Sequence, residues 1–387
     1  AATTLPAGLD LTSRPGIMRY QLYRMTASTR PLQEKLTWFW HGHFVSSLVG
    51  APPETLPGQM ETWRLHASGR FQDFLHAMYK DPAMLLYLDN NTNVVGHANE
   101  NFAREVMELF TLGIGQYSET DIREAARALT GWTVRRKEGN QAVFVPRRHD
   151  DGIKSLFGVT GNLDGDDVMD ILYWHPACAP FVCAKLYRYF VAPGVVQSEL
   201  DTLVAAWRDS DGDLRQVLHV LFRLDGFWAP ENRGALVKSP VEYGIGLYQR
   251  LGVALNDSSL AALVAGLAGM GQSVLMPPDV AGYPDGLEWS GTSSLLARYN
   301  AAYDLAYLLS AEQVASWLAL LDGRTPTGFL DSLLGYLGPL TLGAASRAAV
   351  LAYLESGGFA AGDVRRLSFK LRGALHLIAC TPEYQLN

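Results

Sequence analysis

Asn99-Glu-Asn-Phe-Ala-Arg-Glu-Val-Met-Glu-Leu-Phe-Thr-Leu-Gly113 places Phe102, Val106, Leu109 and Phe110 at helical spacing, with charged residues between them. Apolar positions recurring at i, i+4 and i+7 describe one face of an amphipathic helix, and Gly113 stops it. The same spacing recurs through most of the chain, while period-2 alternation is scarce. The sequence therefore predicts a mainly α, multi-helical single globular unit. Helices are expected over 15–28, 32–47, 57–67, 71–88, 99–112, 119–130, 166–173, 176–190, 198–208, 213–224, 239–251, 258–268, 292–309, 311–321, 327–336, 345–356 and 363–379. Several starts carry a mechanism. Ser118 to Asp121 reads as a capping box, Asp81-Pro82 puts proline near N1, and His175-Pro176 does the same.

Two stretches break the pattern. Gln141 to Val145, after Gly139-Asn140, predicts a small β-hairpin or loop excursion near 139–158. Met276 to Gly291 holds too many prolines and glycines for a helix and is expected to line a cleft. One compact domain over 1–387 is expected, or two intimately packed helical halves, 1–138 and 159–387.

The 387 residues include 37 Gly, 19 Pro and 3 Cys, with 48% hydrophobic and 18% charged residues, which excludes disorder, collagen-like repeats and a disulfide scaffold. Lys and Arg number 32 against 39 Asp and Glu, a formal charge of -7, so a phosphate-neutralising nucleic-acid binder is not expected. The basic cluster Arg135, Arg136, Lys137, Arg147 and Arg148 reads as a solvated hairpin surface. The apolar runs Leu260 to Gly271 and Leu333 to Ala345 are too short to cross a membrane. Cys178 and Cys183 lie about 140° apart around a helix, so buried free thiols are expected. The opening AATTLPAGLD, without an initiator Met, fits a processed or trimmed chain.

Three blocks carry a family signal: Lys35-Leu-Thr-Trp-Phe-Trp-His-Gly-His-Phe44, Asp81-Pro-Ala-Met-Leu-Leu-Tyr-Leu-Asp89 and the Asn99 to Gly113 stretch. With Glu124 to Trp132, His149 to Gly152, Gly161 to Asp167, Lys185 to Arg188, Val237 to Glu242 and Pro277 to Gly282, the chain closely resembles the bacterial family called domain of unknown function 1800 over roughly residues 30–310. The resemblance implies a helical, frequently exported protein, periplasmic or extracellular, often found beside a phosphatase-like or sulfatase-like partner family. It implies no agreed reaction. His97 and His175 stand where relatives are expected to carry Pro and a polar residue, and Asp279 and Tyr283 where Asn and Trp are expected.

For chemistry, Trp40-His41-Gly42-His43 invites a metal reading. Residues two apart on a helix point about 200° apart, so the pair chelates only if the helix breaks at Gly42. His43 falls in the apolar stripe and His41 projects away from it. Glu105 lies at the border of the Asn99–Gly113 stripe, where desolvation raises a carboxyl pKa toward the range of a general acid. Glu100, at the helix start, is held ionised by the dipole. Arg104 and Glu108 read as a surface i,i+4 pair. His149-Asp-Asp-Gly152 reads as a metal site, an acid/base pair or a turn. Asn162, Asp164 and Asp166 fail the calcium-loop pattern, leaving Asp166 as a helix cap. Walker, dinucleotide, HExxH, GxSxG and paired CxxC signatures are missing.

The leading expectation is an exported hydrolase acting on carbohydrate or a cell-surface polymer. Glu105 pairs with Glu100 or Asp151, with His43 as a further catalytic candidate, and Trp40, Arg104, Asn101, Trp132 and His149 contact the substrate. No cofactor is predicted. One alternative is a metal enzyme in which His43, His149, Asp150 and Glu105 converge. The other is a noncatalytic exported scaffold binding a phosphatase-like partner, its polar motifs serving as buried hydrogen-bond networks.

Overall fold

The computed structural model describes residues 9–338 and 340–387. Among them are nineteen α-helices joined by short turns, and two antiparallel two-stranded sheets, so the mainly α expectation holds. The chain groups into two compact units: residues through 232 with 275–283, and residues 233–274 with 284–387.

Local chemistry accounts for the starts and stops of the first unit. Ser118 accepts from the Asp121 amide while Asp121 reaches back to the Ser118 backbone, the predicted capping box of the helix Glu119–Ala128. The expected helix over 71–88 is two, Phe71–Tyr79 and Pro82–Tyr87. Pro82 disfavours the helical conformation in the residue before it, and Asp81 caps the new start through the Met84 amide at 2.9 Å. The helix expected from Pro176 begins at Cys178. Asp164, not Asp166, caps Gly165–Trp174, because its carboxylate reaches the amides of both Asp166 and Asp167. Asn162 is taken up by the buried Lys154 ammonium at 3.1 Å.

The β excursion is larger than predicted. Trp132–Arg135 pairs with Gln141–Phe144, and Lys154–Leu156 with Val159–Gly161. Arg135, Arg136 and Lys137 are exposed at the first hairpin's turn, as a solvated surface requires. The core of this unit is aromatic: Trp40, Phe44, Phe71, Phe74 and Phe110 are buried, with Phe44 centred 4.7 Å from Phe74 and 5.4 Å from Phe110. Each such side chain contributes about 1.5–3 kcal/mol by burial.

In the second unit, Ser239 and Glu242 form a capping box at Pro240–Leu251. Arg298 is fully buried there, donating to the Lys238 carbonyl at 2.7 Å and the Gln385 side chain at 3.2 Å. Cys178 and Cys183 are buried free thiols and Cys380 is a half-buried one. No described helix is long and apolar enough to cross a membrane.

Candidate functional site

The helix Pro31–His43 runs unbroken through Gly42, so His41 and His43 leave opposite faces and cannot share an ion. His43 is buried, with Nε2 2.9 Å from the Phe110 carbonyl and Nδ1 3.4 Å from the Lys185 ammonium. These partners set the tautomer: Nε2–H donates to Phe110, and Nδ1 accepts from Lys185. Burial, with Lys185 adding to it, holds the His43 pKa well below the usual histidine range. Trp40 is fully buried, its indole N–H donating to the Ala67 carbonyl at 2.9 Å. Both are core residues with no face open to a substrate.

His41 does not project to solvent. It is 1% exposed, inside a box of Trp38, Trp63 and Tyr283 with ring centres at 5.1, 4.8 and 5.8 Å. Neither ring nitrogen has a hydrogen-bond partner, and burial lowers its pKa to about 3. The box is closed by the strap 275–283. Leu48 donates to the Leu275 carbonyl at 3.0 Å, and Tyr283 stacks on Trp38 at 5.7 Å. At Gly282 the φ is +102°, and a Cβ there would sit 3.0 Å from the Gly42 carbonyl. Backbone meets backbone at two glycines, and a side chain at 282 would be both strained and crowded.

The Asn99–Gly113 stretch departs from one continuous α-helix. Asn101–Glu105 is α-helical and Val106–Thr111 is a π-helix. The Thr111 hydroxyl donates to the Val106 carbonyl at 2.5 Å, a side-chain bond laid over the wide turn. π-turns of this kind occur frequently at functional sites. The wide turn takes Glu108 out of i,i+4 register with Arg104. Arg104 instead binds Glu119 through two contacts of 2.9 Å and Glu100 at 3.4 Å, while Glu108 accepts the Tyr117 hydroxyl.

Glu105 stays half-buried at the α-to-π junction. Burial, and then the charge of Glu108, raise its carboxyl pKa, with Arg104 opposing. Tyr87 stands within the field of both Glu105 and the strap residue Asp279, and burial together with these two carboxylates raises its phenol. Tyr117 is raised by burial and by its bond to Glu108. Glu105, Glu108, Tyr117 and Tyr87 are thus linked electrostatically, and Asp279 reaches the group through Tyr87. Of these, only Glu105 carries a chemical signal in the sequence. An uninterrupted α-helix assigns Glu108 to Arg104, and nothing local connects Asp279 to Tyr87.

The other predicted residues lie apart from this patch in their contacts. Asn101 donates from its side chain to the Leu88 carbonyl at 3.3 Å. Trp132 packs on Tyr79 at 5.9 Å and Phe144 at 5.7 Å. His149 is buried on the Thr130 carbonyl at 3.0 Å. Asp150 is clamped by Arg127 at 2.8 Å, which holds its carboxyl below the usual range, and Asp151 is exposed. The convergence of His43, His149, Asp150 and Glu105 required by the metal alternative is not formed. Among the described residues no group of three or more His, Cys, Asp or Glu could hold a metal ion; of the set named above, His43 and His149 are spent on backbone carbonyls and Asp150 on a guanidinium. Elsewhere His76 bridges Asp166 at 2.6 Å and Asp170 at 2.7 Å. A separate cleft of about 450 Å³ opens beside Arg24, Arg30 and Arg64.

A family model described as "Protein of unknown function (DUF1800)" matches residues 14–386. The chain belongs to this family. The DUF1800 match extends the resemblance on both sides of the 30–310 span, to nearly the whole sequence. No curated protein and no solved structure matches the chain.

Proposed function

We propose that this DUF1800 chain is a hydrolase acting on carbohydrate or a cell-surface polymer, with Glu105 as general acid and Glu108 as its partner carboxyl. The observation that carries the reading is the pair's unequal setting. Glu105 is half-buried and its carboxyl pKa is raised, while Glu108, whose charge adds to this, accepts the Tyr117 hydroxyl. Two carboxyls in such unlike settings can divide the acid and base roles that glycosidic cleavage demands. Glu108 serves better than the pairings first expected, since Glu100 is engaged by Arg104 and Asp151 is exposed. Such a polymer substrate places the protein in the periplasm or outside the cell, which cell fractionation checks.

The test is release of reducing ends from a panel of bacterial and plant polysaccharides. Glu105→Gln should lower turnover about 10²–10⁴-fold, the usual worth of a general acid, with Tm nearly unchanged because the amide keeps the shape. A Glu105→Gln protein as active as the wild type, or one that loses stability while the wild type cleaves nothing in the panel, overturns the reading.

A further inference from the structure

The cleft lined by Arg24, Arg30 and Arg64 lies between the helices Arg14–Ala27, Pro31–His43 and Leu56–His66. It shares no residue with the Glu105 patch. Its charges can be counted. Arg64, 5% exposed, grips Glu34 through two contacts of 3.0 Å and reaches Glu61 at 2.6 Å. Arg24 shares the same two carboxylates, at 3.4 Å from Glu34 and 3.9 Å from Glu61. Three guanidiniums thus face two carboxylates, and one positive charge is left over. It resides on Arg30, which is exposed and has no ion-pair partner among the described residues.

The rest of the lining suits a hydroxylated ring. Ser28, Thr29 and Thr62 bring hydroxyls and Gln33 an amide, while Leu65, 78% exposed, offers one apolar face. The volume, about 450 Å³, falls in the range of small-molecule sites. The buried Arg64–Glu34 pair holds the floor, so the cleft is built before a ligand arrives.

We propose that this cleft is a binding site for an acidic saccharide, a sugar ring bearing a single carboxylate, which Arg30 grips through its planar fork and the hydroxyl-lined wall recognises at the ring. One unmatched cation fits a monoanion; a phosphate dianion would need a second. The planar guanidinium matches a carboxylate with two parallel hydrogen bonds, a geometry that adds specificity to charge.

Calorimetric titration of the chain with galacturonate, with the uncharged sugar galactose and with inorganic phosphate tests this. Galacturonate should bind saturably and the other two at least ten-fold more weakly. Arg30→Ala should weaken galacturonate binding about ten-fold or more, the worth of one charge-assisted contact, while the Tm of the free protein stays unchanged because Arg30 is exposed. Glu105→Gln should bind galacturonate as the wild type does, so failure of the hydrolase reading leaves this one intact. No binding of galacturonate, equal binding of galactose or of phosphate, or undiminished binding by Arg30→Ala overturns the proposal.

Discussion

Two histidines two positions apart show how burial alone does not define a role. His43 donates to Phe110 and accepts from Lys185, whereas His41 has two buried nitrogens without partners. His43→Phe strands the Phe110 carbonyl and should cost about 1–3 kcal/mol. His41→Phe strands nothing and should leave Tm equal or higher, a contrast that calorimetry on the two variants decides. The pH dependence sharpens it. With its folded pKa depressed from 6.5 to about 3, His41 contributes stability that is present above about pH 6.5 and lost as pH falls toward 3; His43 acts in the same sense. Asp81 acts oppositely. Burial raises its carboxyl from 3.8 to about 7, so its contribution is full below about pH 4 and lost as pH rises toward 7. Asp81→Asn keeps an oxygen for the Gln59 amide and the Met84 N–H but removes the titration. Its Tm should therefore fall more steeply on acidification from pH 7 to 4 than that of the wild type, and the Tm of His41→Phe less steeply.

At the level of elements, the π-turn at Val106–Thr111 ties the backbone to the proposed chemistry. Thr111→Val removes the hydroxyl that bridges to Val106 and should cost about 0.5–1.5 kcal/mol, with faster amide exchange confined to the turn. Glu108→Gln removes the charge that helps to raise Glu105. The Glu105 pKa should then drop, which NMR titration of its carboxyl carbon reads, and turnover should fall because the partner carboxylate of the proposed reaction is gone. Most helices were legible because caps and apolar stripes act locally: Ser118 and Asp121, or Asp81 with Pro82, need only their own neighbours. The π-turn was not. Phe102, Val106 and Phe110 read equally well as an α stripe, and only the packed structure shows the extra residue per turn. Once the turn widened, the Arg104–Glu108 pairing read from i,i+4 spacing went with it, and Arg104 found Glu119 fifteen residues on.

Across the molecule, periodicity disclosed the helical class but not which distant segments meet. Glu105 was legible as a half-buried carboxyl from its place at the stripe's edge. Tyr87 was not legible as feeling both Glu105 and Asp279, since the strap 275–283 that carries Asp279 joins the first unit from within the sequence of the second. His149 and Trp40 read as site residues because polar or aromatic residues in motifs look alike whether they line a cleft or a sealed interior. The strap also makes a prediction of its own. A fragment ending at residue 232 lacks Leu275 and Tyr283, leaving the Leu48 amide unpaired and Trp38 uncovered. It should melt below the intact chain by circular dichroism, and tethering 275–283 back through a flexible linker should recover part of the difference.

The same topology bears on how the protein is made. At about 5–20 residues per second, a ribosome needs roughly 3–10 s to travel from residue 232 to residue 283. For that interval the nascent first unit waits with its aromatic box open, and a chaperone able to shield Trp38 and His41 would find its opportunity there.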